Sequence, residues 1–308
     1  MVYYVAHRLF ASHDRALGAR VAALLADKTG PDNVFLPFCD TDEEDLVAPV
    51  KGRRLFELDT ERLATLTGMI ALLHGPSLDD GVCMEIGYAA ALGVPVTVLT
   101  TDFQTYDPNG TAPAWQFPDP LIETITGRVV RVPSLGPATP ARTDRFEAFG
   151  HRNDTQLNQA IADGVAALLQ QEHSTTPAVI RTDAVFVEPS PYAPDDALSD
   201  TVRATGRTAV PSRRLAATDP LTAAATDWEQ AATAAMLVVD VSGPETPPGA
   251  AALIGAAAAR RQPVVAYQPQ PIYTHAHGRE PNWRNLMIQY ASAVHATTLD
   301  EVTDKVAA

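Results

Sequence analysis

The sequence predicts an α/β protein made of two doubly wound parallel-sheet domains. Three observations predict it. Short apolar runs alternate with stretches of helical periodicity through the first half, the pattern of strands and helices that builds a parallel sheet covered on both faces. The segment Gly75 to Gly87 returns without a gap as Gly243 to Gly255, an offset of 168 (243 − 75). The length, 308 residues, suits about two domains with ordinary cores, hydrophobic residues making up 46%.

The elements follow in order. Residues 2–10 read as a first strand, and Asp14 to Ala26 as a helix with Leu17, Val21, Ala22, Leu24 and Leu25 on its apolar side. Val34 to Phe38 is a second strand. Asp59 is placed to cap a short helix from Thr60 to Thr67. Met69 to Leu73 is a buried strand that ends in the turn signal His74-Gly75-Pro76-Ser77. Val82 to Leu92 is a helix of small residues, ended by Gly93, and Pro95 to Thr100 is the next strand. Residues 107–142, rich in Pro, Gly and Thr, read as a long excursion. Arg145 to Gln171 is a closing helix and His173 to Pro177 a polar linker, which gives domains of 1–172 and 178–308. The second copy opens near Ala184 with Val185-Phe186-Val187, repeats the motif helix through Ala256 to Arg260 and the next strand at Pro263 to Tyr267, and ends in a helix from Leu299 to Val306.

Composition narrows the function. The net charge of −14 argues against a nucleic-acid polymer, whose backbone needs a basic footprint, but not against a single nucleoside read in a pocket. No apolar stretch is long enough to cross a bilayer and the N-terminus runs straight into a strand, so a cytoplasmic protein without a membrane partner is expected. Cys39 and Cys83 are expected to be reduced. No metal-ligand spacing is present; His275-Ala276-His277 alone is weak, and neither a metal nor a cofactor is expected. The acidic run Asp40 to Asp45 reads as a solvated loop. Glycine-rich phosphate loops are missing, which weakens a dinucleotide or triphosphate reading.

The informative segment is Asp79-Asp80-Gly81-Val82-Cys83-Met84-Glu85-Ile86-Gly87-Tyr88-Ala89. Its acids sit where a strand's C-terminal end meets a helix N-terminus, the place where open α/β sheets bind ligands. In the second copy Asp79, Asp80 and Glu85 become Pro247, Pro248 and Leu253, while Gly75, Pro76, Gly81, Ile86, Gly87, Pro95 and Val96 recur, as do Asp59, Glu61 and Thr65. Acids that vanish together from a copy that keeps the glycines are acids needed for chemistry, not for folding. An ionised Glu85 near the helix start can serve as a nucleophile in glycosyl transfer, with a neighbouring acid protonating the leaving group. The plainer alternative makes Asp79 and Asp80 turn residues and Glu85 a helix acid.

These residues carry a resemblance to the nucleoside 2-deoxyribosyltransferase family. Tyr4-Val5-Ala6-His7-Arg8-Leu9-Phe10 fits its opening Tyr-x-Ala-x-x-x-Phe, Asp59 its aspartate before the third strand, and the segment from Asp79 to Ala89 its motif Asp-x-Gly-x-x-x-Glu-x-Gly-Tyr-Ala. The match covers roughly residues 1–105, and the second copy extends it in degenerate form. The resemblance implies a flavodoxin- or Rossmann-like fold and a set of roles. Glu85 attacks the anomeric carbon, Tyr4 orients Glu85, and Asp59 and Asp79 hold the nucleobase and manage its proton. Gly81, Met84 and Asp80 join them as substrate-binding residues. The family completes each pocket with an Asn-Leu-Met stretch from a neighbouring subunit. Asn285-Leu286-Met287 matches that stretch from within the second copy, whereas no such triplet follows Tyr106. An internal pseudo-dimer is therefore expected, with Asn285 and Met287 lent to the Glu85 pocket. The competing readings are a core aromatic for Tyr4, a helix cap for Asp59 (its counterpart Asp227 survives) and a cap or turn for Asn285. Arg8 stands, with His7, where family members commonly have Gly-Pro; it would either bind a 5′-phosphate or face solvent.

Three functions stay open at this level. One is deoxyribosyl transfer between nucleobases, the second hydrolysis of a nucleoside or its 5′-monophosphate with water as acceptor, and the third a nucleotide sensor without turnover. The expected partners are a nucleoside and a free nucleobase, with further assembly of pseudo-dimers into a homo-oligomer.

Overall fold

The computed structural model describes residues 2–41, 48–106, 115–134, 136–141, 143–174, 181–192, 195–274 and 280–308. His275, His277, most of the acidic run and parts of the 107–142 excursion and of the linker lie outside these residues.

The first half forms a five-stranded sheet, wholly parallel, in the order β2-β1-β3-β4-β5. Its strands are β1 (Tyr3–Ala6), β2 (Val34–Phe35), β3 (Gly68–Leu72), β4 (Val96–Thr100) and β5 (Arg128–Arg131). Between them run α1 (Ser12–Thr29), α2 (Lys51–Leu63), α3 (Asp80–Ala91) and α4 (Pro120–Ile125), and α5 (Arg145–Leu169) follows. The second half repeats the plan in the order β7-β6-β8-β9-β10, also parallel. It comprises β6 (Val185–Glu188), α6 (Ala197–Ala204), β7 (Ala209–Pro211), α7 (Pro220–Thr233) and β8 (Met236–Asp240), then α8 (Pro248–Ala259), β9 (Val264–Tyr267), α9 (Leu286–Ala291), β10 (Val294–Ala296) and α10 (Leu299–Ala307). The chain is thus α/β with two doubly wound parallel sheets. Central strands such as Gly68-Met69-Ile70-Ala71-Leu72 are buried throughout, as strands covered on both faces must be.

The halves share one core. Side chains of α3, α4, α7 and α8 and the inward faces of both sheets form a single apolar cluster. The outer faces are covered separately, by α1 and α5 on the first sheet and by α6 and α10 on the second. At the centre α3 crosses α8 at backbone contact. A Cβ built on Gly87 would stand 1.9 Å from the Ala252 carbonyl oxygen, and one on Gly255 1.9 Å from that of Met84. Of the glycines that the repeat preserves, Gly87 and its counterpart Gly255 are the ones that let the helices touch.

Four expectations need correction. The helix expected from Thr60 begins at Lys51, so Asp59 lies inside it and caps nothing; Asp227 is likewise inside α7, which Asp219 caps instead. The 107–142 excursion contains a helix, started by Asp119 and Pro120 as cap and first residue, and a fifth strand. The motif-helix repeat starts at Pro248, well before Ala256. The second strand stops at Phe35, and Phe38 takes φ 63°, which ends any extension.

Candidate active site

The cavity opens at the switch point between β1 and β3, where the chain's winding reverses and α/β sheets bind ligands. It encloses about 570 Å³, within the range of small-molecule pockets. The first half contributes the end of β1 and its loop (Tyr4, His7, Arg8, Leu9, Phe10), Leu55 and Asp59 of α2, and the start of α3. The second half contributes Pro244, Glu245, Ile272, Thr274 and the run Asn282 to Met287.

Asp79 ends the β3 loop and caps α3, its Oδ1 accepting from the Val82 N–H at 2.9 Å. The cap fixes the first turn, and Glu85, the sixth residue of the helix, then points back along it into the cavity. Glu85 is 8% exposed, and the hydroxyl of Tyr4 donates to its Oε1 at 2.7 Å. Tyr4 is at once a core aromatic, tilted against Phe35 at 5.3 Å between ring centroids, and a partner of the carboxylate. Asp59, half-buried on α2, faces the same space.

Asn285 comes from the other half. It caps α9, its Oδ1 accepting from the Met287 N–H at 2.9 Å, which turns its amide nitrogen toward Gly81. A Cβ on Gly81 would lie 2.8 Å from that nitrogen, so a glycine is what this approach requires. The loop before Asn285 is anchored on both sides. Trp283 stacks on His295 with ring centroids 4.0 Å apart, and the buried Arg284 guanidinium donates to the carbonyls of Val241, Gly243 and Pro244. Met287 also lines the cavity.

Met84 does not. It is fully buried, and its carbonyl lies in the α3–α8 crossing, about a hundred degrees around the helix from Glu85. Asp80 is buried as well and accepts from the Thr246 N–H across the interface at 3.2 Å. Burial, then the charge of Asp79, pushes its carboxyl up to about 6. Burial holds His7 below the ordinary histidine range, so its ring is neutral at neutral pH. Arg8 neither faces open solvent nor stands ready for an anion: it pairs with Glu245 at 2.9 Å and Asp79 at 3.4 Å. Glu245, Arg284, Asn282 and Trp283 are site residues that the sequence did not single out as such; each needs the second half folded against the first to be seen.

The corresponding region of the second half is filled. Strand register places Phe186 where Tyr4 stands, since Phe186 pairs with Leu237 as Tyr4 does with Met69, and the hydroxyl is gone. Arg214, fully buried, occupies the space. It grips Asp119 (2.7 and 2.8 Å) and Glu188 (2.6 and 2.9 Å) and reaches Asp227 at 3.4 Å. Asp119, at the cap of α4, also accepts from the Gly249 N–H at 3.1 Å. It plays toward Gly249 the part that Asn285 plays toward Gly81. The first half therefore does lend a residue, Asp119, although no Asn-Leu-Met triplet marks it.

No helix among the described residues is long and apolar enough to cross a membrane. No curated protein matches the chain. Residues 2–134, which carry β1 through β5 and every first-half residue of the cavity, match the family model described as nucleoside 2-deoxyribosyltransferase. Over those residues the chain is similar to the nucleoside 2-deoxyribosyltransferase family.

Proposed function

We propose that the protein cleaves the N-glycosidic bond of a 2′-deoxyribonucleoside through a covalent glycosyl-Glu85 intermediate and passes the deoxyribosyl group to a second nucleobase. The observation that carries this is the Tyr4 hydroxyl on Glu85 Oε1 at 2.7 Å, in a cavity walled by both halves. A carboxylate oriented by a hydroxyl bond is suited to attack an anomeric carbon as positive charge develops there. As the bond from Glu85 to the anomeric carbon forms, the carbon–nitrogen bond breaks and its electron pair stays on the base. Asp59 or Asp79 supplies the proton that the departing ring nitrogen takes up. The incoming base then attacks the same carbon from the face the first base left, giving up its ring N–H proton to the carboxylate that had protonated the first base; the bond to Glu85 breaks with its electron pair on the carboxylate, and the outcome is net retention. Asn285 and Met287 close the sugar side from the second half, and Gly81 leaves room for the amide of Asn285. We read the chain as a tandem duplication, 1–172 and 178–308, in which the first copy kept the chemistry.

Incubation with deoxyinosine and free adenine, followed by chromatography, is expected to yield deoxyadenosine and hypoxanthine. Glu85→Gln should cut the rate by at least about 10³-fold, as removal of a covalent nucleophile does. Free base without a new nucleoside would identify a hydrolase. No change in either compound would leave a binding module and sink the proposal.

A further inference from the structure

The ion pair between Arg8 and Glu245 joins the two halves at the cavity. Arg8 Nη2 donates to both oxygens of Glu245, at 2.9 and 3.2 Å, and its Nε to Asp79 Oδ2 at 3.4 Å. Ser77 Oγ adds a bond to Glu245 Oε2 at 3.1 Å. Glu245 occupies the repeat position of Ser77 itself (245 − 77 = 168), so the second half presents an acid where the first has a hydroxyl.

A guanidinium at the edge of a nucleoside pocket is a natural fork for a phosphate group. Here the fork is already closed on carboxylates. The other arginine of the wall, Arg284, turns its donors to backbone carbonyls. The remaining ionisable lining includes Asp59, Asp80 and Glu85. A phosphate carrying nearly two negative charges would enter a cavity rich in acids, where the best-placed cation among the described residues is already neutralised.

We infer that Glu245 is a specificity-determining residue: by holding Arg8, it reserves the cavity for uncharged nucleosides and turns away nucleoside 5′-monophosphates. The inference rests on the proposed N-glycoside chemistry but has a readout of its own. Removing the negative charge at 245 leaves Asp79 as the acid paired with Arg8, beside the Ser77 carbonyl, and lets a phosphate compete for it.

The test compares 2′-deoxyadenosine with its 5′-monophosphate. Base release by the wild type should favour the nucleoside in kcat/KM by about 10²-fold or more, and Glu245→Gln should lower that preference at least about tenfold, chiefly through KM for the monophosphate. Adding Arg8→Ala to Glu245→Gln should abolish the gain. A preference unchanged in Glu245→Gln, or a wild type that uses both equally, overturns the inference. Calorimetric titration of the monophosphate into Glu85→Ala, with and without Glu245→Gln, decides the point without turnover. Tighter binding in the double variant supports the inference and equal binding refutes it. Absence of base release from either compound in the wild type would defeat the proposed function, while the titration would still decide the role of Glu245.

Discussion

Substituting Gly87 with alanine sets two known effects against each other, and the structure says which wins. In an open helix interior the change is favourable by about 0.8–1 kcal/mol, because glycine has more backbone freedom to lose. At Gly87 the new methyl would stand 1.9 Å from the Ala252 carbonyl oxygen and 2.5 Å from its carbon, whereas ordinary contact begins near 3.4 Å. The obstacle is backbone in the middle of a helix, so it cannot swing aside as a side-chain tip would. The helices must part by about 1.5 Å (3.4 − 1.9). Overpacking of this kind costs roughly 1–3 kcal/mol, and a radial gap of half to one ångström already forfeits a quarter to a half of each dispersion contact along the seam. With backbone as the obstacle the upper end of that range applies, and after the gain of about 1 kcal/mol a net loss of roughly 2 kcal/mol is left, read as a fall in Tm of several degrees for a chain of this size. Gly255→Ala should behave alike, since its methyl meets the Met84 carbonyl oxygen at 1.9 Å. Gly150 is the control: it is exposed on α5 with nothing within 4 Å of a built Cβ, so Gly150→Ala should stabilise by roughly 0.5–1 kcal/mol. Calorimetry on the three variants decides. If Gly87→Ala melts at or above the wild-type temperature, the close crossing of α3 and α8 is wrong.

Two further outcomes can be checked by urea unfolding. Arg214→Ala strands Asp119, Glu188 and Asp227 without their shared cation and should cost about 3–5 kcal/mol; a loss below about 1 kcal/mol would mean that the cluster is hydrated and not sealed. Asp80→Asn should change how stability depends on pH. Burial raises the folded-state carboxyl from 3.8 to about 6, so the folded form holds its proton more tightly than the unfolded chain. The stability this gives is complete below 3.8 and is lost as pH rises through about 6. The asparagine, which still offers an oxygen to the Thr246 N–H, escapes that loss. Its stability relative to wild type should therefore rise by roughly 2–3 kcal/mol between pH 4 and pH 8, and a flat difference would refute the assignment.

What the sequence disclosed depended on distance along the chain. Asp79, Gly81 and Glu85 are spaced by one helix start, so their convergence is written locally, and the repeat offset exposed Gly87 and Gly255 as a matched pair. Asp59 was misplaced for the opposite reason. Val50 offers no side-chain cap at the start of α2; the Gly52 N–H donates instead to Glu280 Oε1 at 2.9 Å, 228 residues away. With its cap supplied from the other half, the true start of α2 left no local signal. The strand β5 escaped notice because Val129 and Val130 are flanked by arginines at a sheet edge, too short and too polar for a periodic pattern. The resemblance implies Met84 as a ligand residue beside Glu85, but neighbours on a helix diverge by about a hundred degrees, and Met84 is buried away from the cavity. Arg214 and Glu245 each take a partner from the other half, Asp119 and Arg8, and no spacing rule reaches that far.

The two half-sites explain one another through a single functional-group difference. The cap residue that reaches across the interface is Asn285 toward the cavity and Asp119 toward the filled space. Beside Gly81 a carboxylate would add one more acid to a wall that already holds Asp59, Asp79, Asp80 and Glu85, and it would set a further negative charge against Glu85. The amide offers the same acceptor to the helix and a neutral donor to the cavity. Beside Gly249 the carboxylate is tolerated because Arg214 neutralises it, and Arg214 is tolerated because three carboxylates surround it. The exchange also has a direction. Once Leu253 and Phe186 stand where Glu85 and Tyr4 do, no ligand chemistry opposes filling the space with a side chain, and a buried cation binds the second half to Asp119 of the first. Covalent linkage then keeps the lending half always present, so Asn285 meets its pocket at an effective concentration set by the tether, not by subunit encounter. One open cavity takes one lender, Asn285, and the filled counterpart serves to strengthen the joint.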